Sequence, residues 1–177
     1  MPRLIIVGSG IAGLFTALCA YRHGVRDIVV ITKAALEDGA TRYAQGGVAA
    51  AVGPGDSWEL HAADTIGAGA ELCDPEAVRV LTREAGERVA DLIHLGLHFD
   101  RERGRLAHAR EAAHGVARVL HAGGDATGRH IEDALTRAVR SLGIELHDRA
   151  FVADLLLETG TCRGVRLLDD ELEADAV

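Results

Sequence analysis

Apolar positions along this chain follow two patterns: short unbroken runs, and longer stretches where they recur three and four residues apart. Residues 4–7, LIIV, form the first run and end at Gly8, as expected of a strand buried on both faces. Residues 11–23 have helical spacing, with Gly24 suited to the stop, and residues 27–32, DIVVIT, are a second unbroken run. This order predicts a βαβ unit with parallel strands and a right-handed crossover. Residues 33–74 lose the pattern and predict an irregular segment with a turn at 53–56, around Pro54; such stretches are often functional. Helical spacing returns after Asp74, a good N-cap followed by Pro75, and runs to Gly96 with an apolar stripe of Val78, Leu81, Ala85, Val89, Leu92 and Ile93. A later helix places Ile131, Leu135, Ala138 and Leu142 on one face and stops at Gly143. Residues 144–148, IELHD, predict a third parallel strand, residues 151–168 two strands about Gly160, and residues 171–177 the start of another. The expected fold class is α/β: a Rossmann-like βαβ domain with a parallel sheet and a small β-meander.

Composition narrows the function. The 177 residues are 48% apolar, 26% charged and only 3% aromatic, with a net charge of -8. Without dense Lys/Arg runs or stacking aromatics, nucleic-acid and anionic-membrane partners are not expected. Cys19, Cys73 and Cys162 form no C-x-x-C pair and read as reduced, buried thiols of a cytoplasmic protein. His108, His114 and His121 match no common metal-ligand spacing, so no metal is expected.

The first twenty residues also admit a targeting-segment reading: Arg3, an apolar run, then small residues near Ala20. Against it, the run is broken at Gly8, Gly10 and Gly13, a G-x-G-x-x-G that follows a strand and opens a helix. There Gly8 permits the tight turn, Gly10 lets backbone approach a pyrophosphate, and Gly13 lets helix and sheet pack closely. The anion would sit on the helix N-terminus. The turn serves nicotinamide and flavin dinucleotides alike. The acid expected to bind ribose after the second strand is replaced by Thr32-Lys33. Lys33 could donate to hydroxyl or phosphate oxygens, including a 2′-phosphate, or simply face solvent.

Five blocks in order carry a more specific resemblance: GSGIAGLFTAL, ITK, ATRYAQGGVAAAV, DTIGAGAELCDPEAVRVLTREA and HAGGDATGRHIEDAL. Together they resemble the L-aspartate oxidases, a branch of the succinate dehydrogenase/fumarate reductase flavoprotein family. The resemblance implies non-covalent FAD and oxidation of L-aspartate to iminoaspartate, with O2 or fumarate as acceptor. It also implies a functional link to quinolinate synthase in NAD biosynthesis, in the cytoplasm. By position it implies that Ser9, Gly10, Ile11, Ala12 and Gly13 hold the pyrophosphate and that Lys33 lies by the adenosine half. Ala40, Thr41, Arg42, Tyr43, Ala44, Gln45, Gly46 and Gly47 would wrap the flavin end, and the Val152 backbone would meet adenine. Backbone amides there can stabilise charge on the ring without adding a competing nucleophile.

Two residues separate the relatives. Ala40 stands where succinate dehydrogenases and fumarate reductases carry a flavin-linked histidine, so no covalent attachment is expected. Glu111 is implied to face the substrate amino group, where a carboxylate gives a charge-assisted hydrogen bond. The resemblance also implies a second flavin-binding turn, a capping domain and a helical domain beyond Val177. Residues 1–177 then read as the N-terminal part of an FAD-binding domain, with no proton-transfer residue of its own and no expected turnover alone. The alternatives are a fumarate reductase or succinate dehydrogenase fragment, and a non-catalytic dinucleotide-binding module.

Overall fold

The computed structural model describes residues 3–177, which divide into two compact units: residues 3–43 with 131–177, and residues 44–130. In the first unit β1 (Arg3–Val7), α1 (Ile11–Arg22) and β2 (Asp27–Ile31) form the expected βαβ unit, the strands parallel with Arg3 opposite Asp27 and Val7 opposite Ile31. The IELHD stretch supplies a further parallel strand beside β2, with Val29 opposite Glu145. On the other side of β1, Ile5 N–H donates to the Ala176 carbonyl at 3.0 Å. The central strands are unbroken apolar runs because both faces are covered: Ile5, Val29, Val30 and Ile31 have no exposed surface.

The second unit contains β3 (Val48–Ala49), α2 (Trp58–Ala68), α3 (Pro75–His94), the hairpin of β4 (Arg101–Glu102) and β5 (Arg105–Leu106), and β6 (Val119–Leu120). Helix α4 (Thr127–Ser141) follows, and its residues from Ile131 belong to the first unit. The chain ends with β7 (Glu145–His147) and the antiparallel meander β8 (Val152–Glu158), β9 (Thr161–Leu167) and β10 (Glu171–Glu173). Val165 of β9 joins Ile5, Val29 and Ile31 in one core cluster, so the meander packs on the parallel sheet.

Four expectations are corrected. Residues 33–74 are not irregular throughout: α2 starts at Ser57, whose side chain accepts from Leu60 N–H at 3.3 Å. Its buried residues are His61 and Ala62, so no periodic stripe of large apolar residues marks it. On α3, Leu81 is 64% exposed and Thr82 is buried in its stead, its hydroxyl satisfied by the Val78 carbonyl at 2.9 Å. On α4, Leu142 lies beyond the helix end and is exposed, while Ile131, Ala134, Leu135 and Val139 make the buried face. The cysteines are free but half-buried rather than buried. Among the described residues, no helix is long and apolar enough to cross a membrane.

Candidate functional site

In the first unit the expected glycine turn joins β1 to α1. Gly8 takes φ +112°, open to glycine but strained for other residues, and its N–H donates to the Ile31 carbonyl at 2.8 Å. Gly10 is the N-cap of α1 and brings no capping side chain. Instead the Thr41 hydroxyl accepts from Ile11 N–H at 3.0 Å. Gly13 is glycine for packing: a Cβ there would run into the Gly8 carbonyl oxygen. The first-turn amides of α1 lack intrahelical partners, and no acidic residue sits in that turn, so the dipole end favours an anion.

A cleft of about 360 Å³ opens in front of this turn. Of the expected cofactor residues it is lined by Gly8, Ser9 and Gly10 from the turn, Lys33 after β2, Ala40 and Thr41, and Val152 at the start of β8. Phe151, half-exposed, also lines it and was not expected. Bare glycine backbone at one end, an ammonium beside it and apolar Val152 and Phe151 elsewhere fit a dinucleotide: phosphates on amides, oxygens on Lys33, a base on the apolar edge. Ser9 is buried and its hydroxyl donates to the Leu36 carbonyl at 3.0 Å, leaving its backbone for a ligand.

Other expected residues point elsewhere. Ile11, Ala12 and Gly13 belong to the helix rather than the cleft wall. Arg42 pairs with Asp133 at 3.2 Å, and the exposed Tyr43 donates its hydroxyl to Asp38 at 2.7 Å. Behind the cleft lies Glu132, fully buried, with both carboxyl oxygens unpartnered. One oxygen lies 3.0 Å from where a Gly39 Cβ would be. Burial pushes its carboxyl above the usual range; nearby Arg42 opposes the shift, while Asp133 and Glu37 add to it. The fold thus disfavours a negative charge beneath the anion-binding turn.

The remaining expected residues, Ala44, Gln45, Gly46, Gly47 and Glu111, lie in the second unit. The Ala44 carbonyl accepts from Gly128 N–H at 3.2 Å, and Gly46 takes φ +79°. Gly47 leads into β3, which pairs antiparallel with β6, and a Cβ on Gly47 would strike Val119 and the Leu120 carbonyl. Glu111, half-exposed, directs its carboxylate at His121, Oε1 to Nε2 at 2.9 Å. That same Nε2 lies 3.1 Å from the Gly47 Cβ position. Within one unit the glycine turn implied for the flavin and the carboxylate implied for the substrate therefore share a neighbour.

The Glu111 loop is tied on both sides. Ala109 and Val119 exchange backbone hydrogen bonds of 2.8 and 3.0 Å. Fully buried Arg118 donates to both oxygens of Asp56 at 2.8 and 2.9 Å, and to Asp64 at 2.6 Å. Its Nη1 also lies 3.2 Å from His114 Nδ1. Asp64 accepts from Gly115 N–H as well, at 2.7 Å, so the far end of the loop is bonded to α2. Burial raises the Asp56 carboxyl, but hydrogen bonds from Arg118 and Ser57 outweigh it and the net shift is downward. Asp64 is held low by the Gly115 amide and Arg118. Buried His61 is pushed down by desolvation, then by Arg118 and His114, and so favours the neutral ring.

The sequence reading missed this cluster, His121 and Glu132. The available signal was an arginine inside GVARVL, because an arginine in an apolar run needs buried carboxylates as partners. Among the described residues, no three His, Cys, Asp or Glu side chains form a metal-holding group.

The L-aspartate oxidase of Streptomyces coelicolor is 51% identical over 166 residues, covering 93% of this chain and 28% of that protein. That of Synechocystis is 44% identical over 167 residues, 93% of this chain and 30% of that protein. Among solved structures, an E. coli quinol fumarate reductase superposes with a TM-score of 0.91 at 28% identity, covering 99% of this chain and 31% of that one. The chain thus spans about 30% of the length of the curated relatives it matches. The FAD binding domain family matches residues 3–176, and the chain belongs to that family.

Proposed function

We propose that this chain is the FAD-binding portion of an L-aspartate oxidase, with L-aspartate as substrate, iminoaspartate as product and O2 or fumarate as reoxidant. The observation that carries the reading is identity of 44–51% to L-aspartate oxidases over at least nine-tenths of the chain. A fumarate reductase reading has the structural likeness on its side, but at only 28% identity. FAD, when bound, supplies a two-electron acceptor for the carbon–nitrogen unit of the amino acid. The chain's own contribution is binding and orientation. Ser9, Gly10, Ala12 and Gly13 offer amides to the pyrophosphate, Gly8 and Ile11 shape the turn and helix end that present them, Lys33 serves the adenosine half, and Val152 meets adenine. The segment from Ala40 to Gly47 holds the flavin end, and Glu111 attracts the substrate ammonium. The enzyme works in the cytoplasm, and its imine product is passed to quinolinate synthase.

The test is Glu111→Gln in an enzyme of the relatives' length that carries this segment. The amide keeps size and loses charge, so kcat/KM for aspartate should fall on the order of a hundredfold, the worth of a charge-assisted pair. Fumarate reduction should stay within about threefold, since fumarate has no amine to lose a partner. Equal losses would remove the role of Glu111. Flavin attachment gives an independent check. Ala40 offers only a methyl group, so acid precipitation should leave all the yellow colour in the supernatant. Colour held in the pellet would mean a covalent bond.

A further inference from the structure

We propose that His121 is a positioning residue for substrate selection, fixing the Glu111 carboxylate so that its second oxygen meets the substrate ammonium; this rests on the role of Glu111 proposed above. The geometry is specific. The His121 Nε2 lies 2.9 Å from Glu111 Oε1, within ion-pair distance, and a contact through Oε1 leaves Oε2 free to accept. A glutamate on a half-exposed loop has three rotatable bonds and would otherwise sample many orientations. One ring contact on one oxygen removes much of that freedom before the substrate arrives.

The histidine is itself held. Its carbonyl accepts from Asp100 N–H at 2.7 Å, and it directly follows β6, the strand paired with β3. Its ring covers the space that a side chain on Gly47 would need. Asp100 also accepts from the Gly123 and Gly124 amides at 3.0 and 3.2 Å, fastening the chain just beyond the histidine. His121 is thus a firmly anchored neighbour of Glu111, whose carbonyl takes a loop bond from His114 N–H at 3.2 Å while its side chain meets no other partner among the described residues. With that contact in place, a carboxylate on a loop can select geometrically as well as electrostatically.

The experiment compares His121→Leu, His121→Gln, Glu111→Gln and the His121→Leu/Glu111→Gln double variant in a flavin-loaded enzyme of the relatives' length. Two readouts are taken. One is the ratio of kcat/KM for aspartate oxidation to that for fumarate reduction. The other is calorimetric binding of α-methylaspartate, which keeps the amine but has no α-hydrogen to lose, against succinate, which has no amine. His121→Leu should weaken α-methylaspartate binding and lower the ratio on the order of tenfold, leaving succinate within about twofold. His121→Gln retains an N–H donor and should recover most of the loss. In the double variant His121→Leu should add nothing, because the carboxylate it positions is gone. An unchanged preference in His121→Leu beside a damaged Glu111→Gln overturns the positioning role alone. An unchanged preference in Glu111→Gln overturns both readings. Equal losses for succinate and α-methylaspartate make His121 merely structural, and the proposal fails.

Discussion

Gly13→Ala should unfold the first unit far more readily and abolish FAD binding, although it adds only one methyl group. The new Cβ would lie inside the contact radius of the Gly8 carbonyl oxygen, and its next neighbours are the Gly8 carbonyl carbon at 3.0 Å and Cγ2 of Ile6 at 3.4 Å. Neither can yield cheaply, because the Gly8 peptide is held by its bond to Ile31 and Ile6 belongs to the central sheet. Helix α1 must therefore lift off β1, unseating Leu14, Ala17 and Leu18 from the core. Overpacking of this kind costs about 3 kcal/mol or more where backbone has to move. Gly10→Ala is the contrasting control. Its Cβ would lie 3.2 Å from the Thr41 hydroxyl, a side chain that can rotate, and the Gly10 φ of -71° suits alanine. That variant should fold normally and lose FAD affinity by about tenfold, since the methyl stands where a phosphate would approach. Urea unfolding and flavin-fluorescence titration read the two effects separately. Native stability for Gly13→Ala would show that the helix–turn approach is looser than described.

That contrast marks how far sequence reading reaches. Strands β1 and β2 were legible because burial on both faces forces unbroken apolar runs, whereas β7, ELH with Glu145 exposed, was legible from its place after a helix. The glycine turn was legible because the backbone leaves few other residues possible at Gly8 and Gly13. Helix α2 was not, because its buried face is His61 and Ala62, and nothing in one dimension says that a histidine is turned inward. Leu81 and Thr82 exchanged places for a similar reason: threonine can satisfy its hydroxyl on the Val78 carbonyl and so behaves as an apolar residue inside a helix. The candidate site divides in the same way. Its cofactor glycines are local and could be named from spacing. The Glu111–His121 pair and the Arg118 cluster are made by residues that only folding brings together, Arg118 and Asp56 being 62 positions apart.

Arg118→Met should destabilise the second unit by about 3–5 kcal/mol, the cost of leaving a buried carboxylate without its cation. The side chains of Arg118 and Asp56 are both fully shielded, and the arginine supplies both hydrogen bonds of a bidentate pair. Methionine fills the volume, so the loss reports charge and hydrogen bonding rather than a cavity. Replacing the pair together, Arg118→Met with Asp56→Leu, should recover much of the stability, because the stranded charge is removed as well. Acid should act in the same direction as the single substitution. Asp56 and Asp64 are held below the usual carboxylate range, so their contribution is full above that range and is lost as pH falls from it through their lowered values. Neutral His61 adds to this, because the unfolded chain takes up a proton at higher pH than the buried ring does. Amide hydrogen exchange over residues 44–130 would resolve the effect, and protection as strong in Arg118→Met as in the native chain would contradict it. The consequence reaches function through His114 and Gly115. Without Arg118 the His114 ring loses its contact and Asp64, no longer fixed by the guanidinium, holds the far end of the Glu111 loop through the Gly115 amide alone. A folded Arg118→Met/Asp56→Leu protein should then bind FAD normally while choosing poorly between aspartate and fumarate, which separates holding the cofactor from recognising the amine.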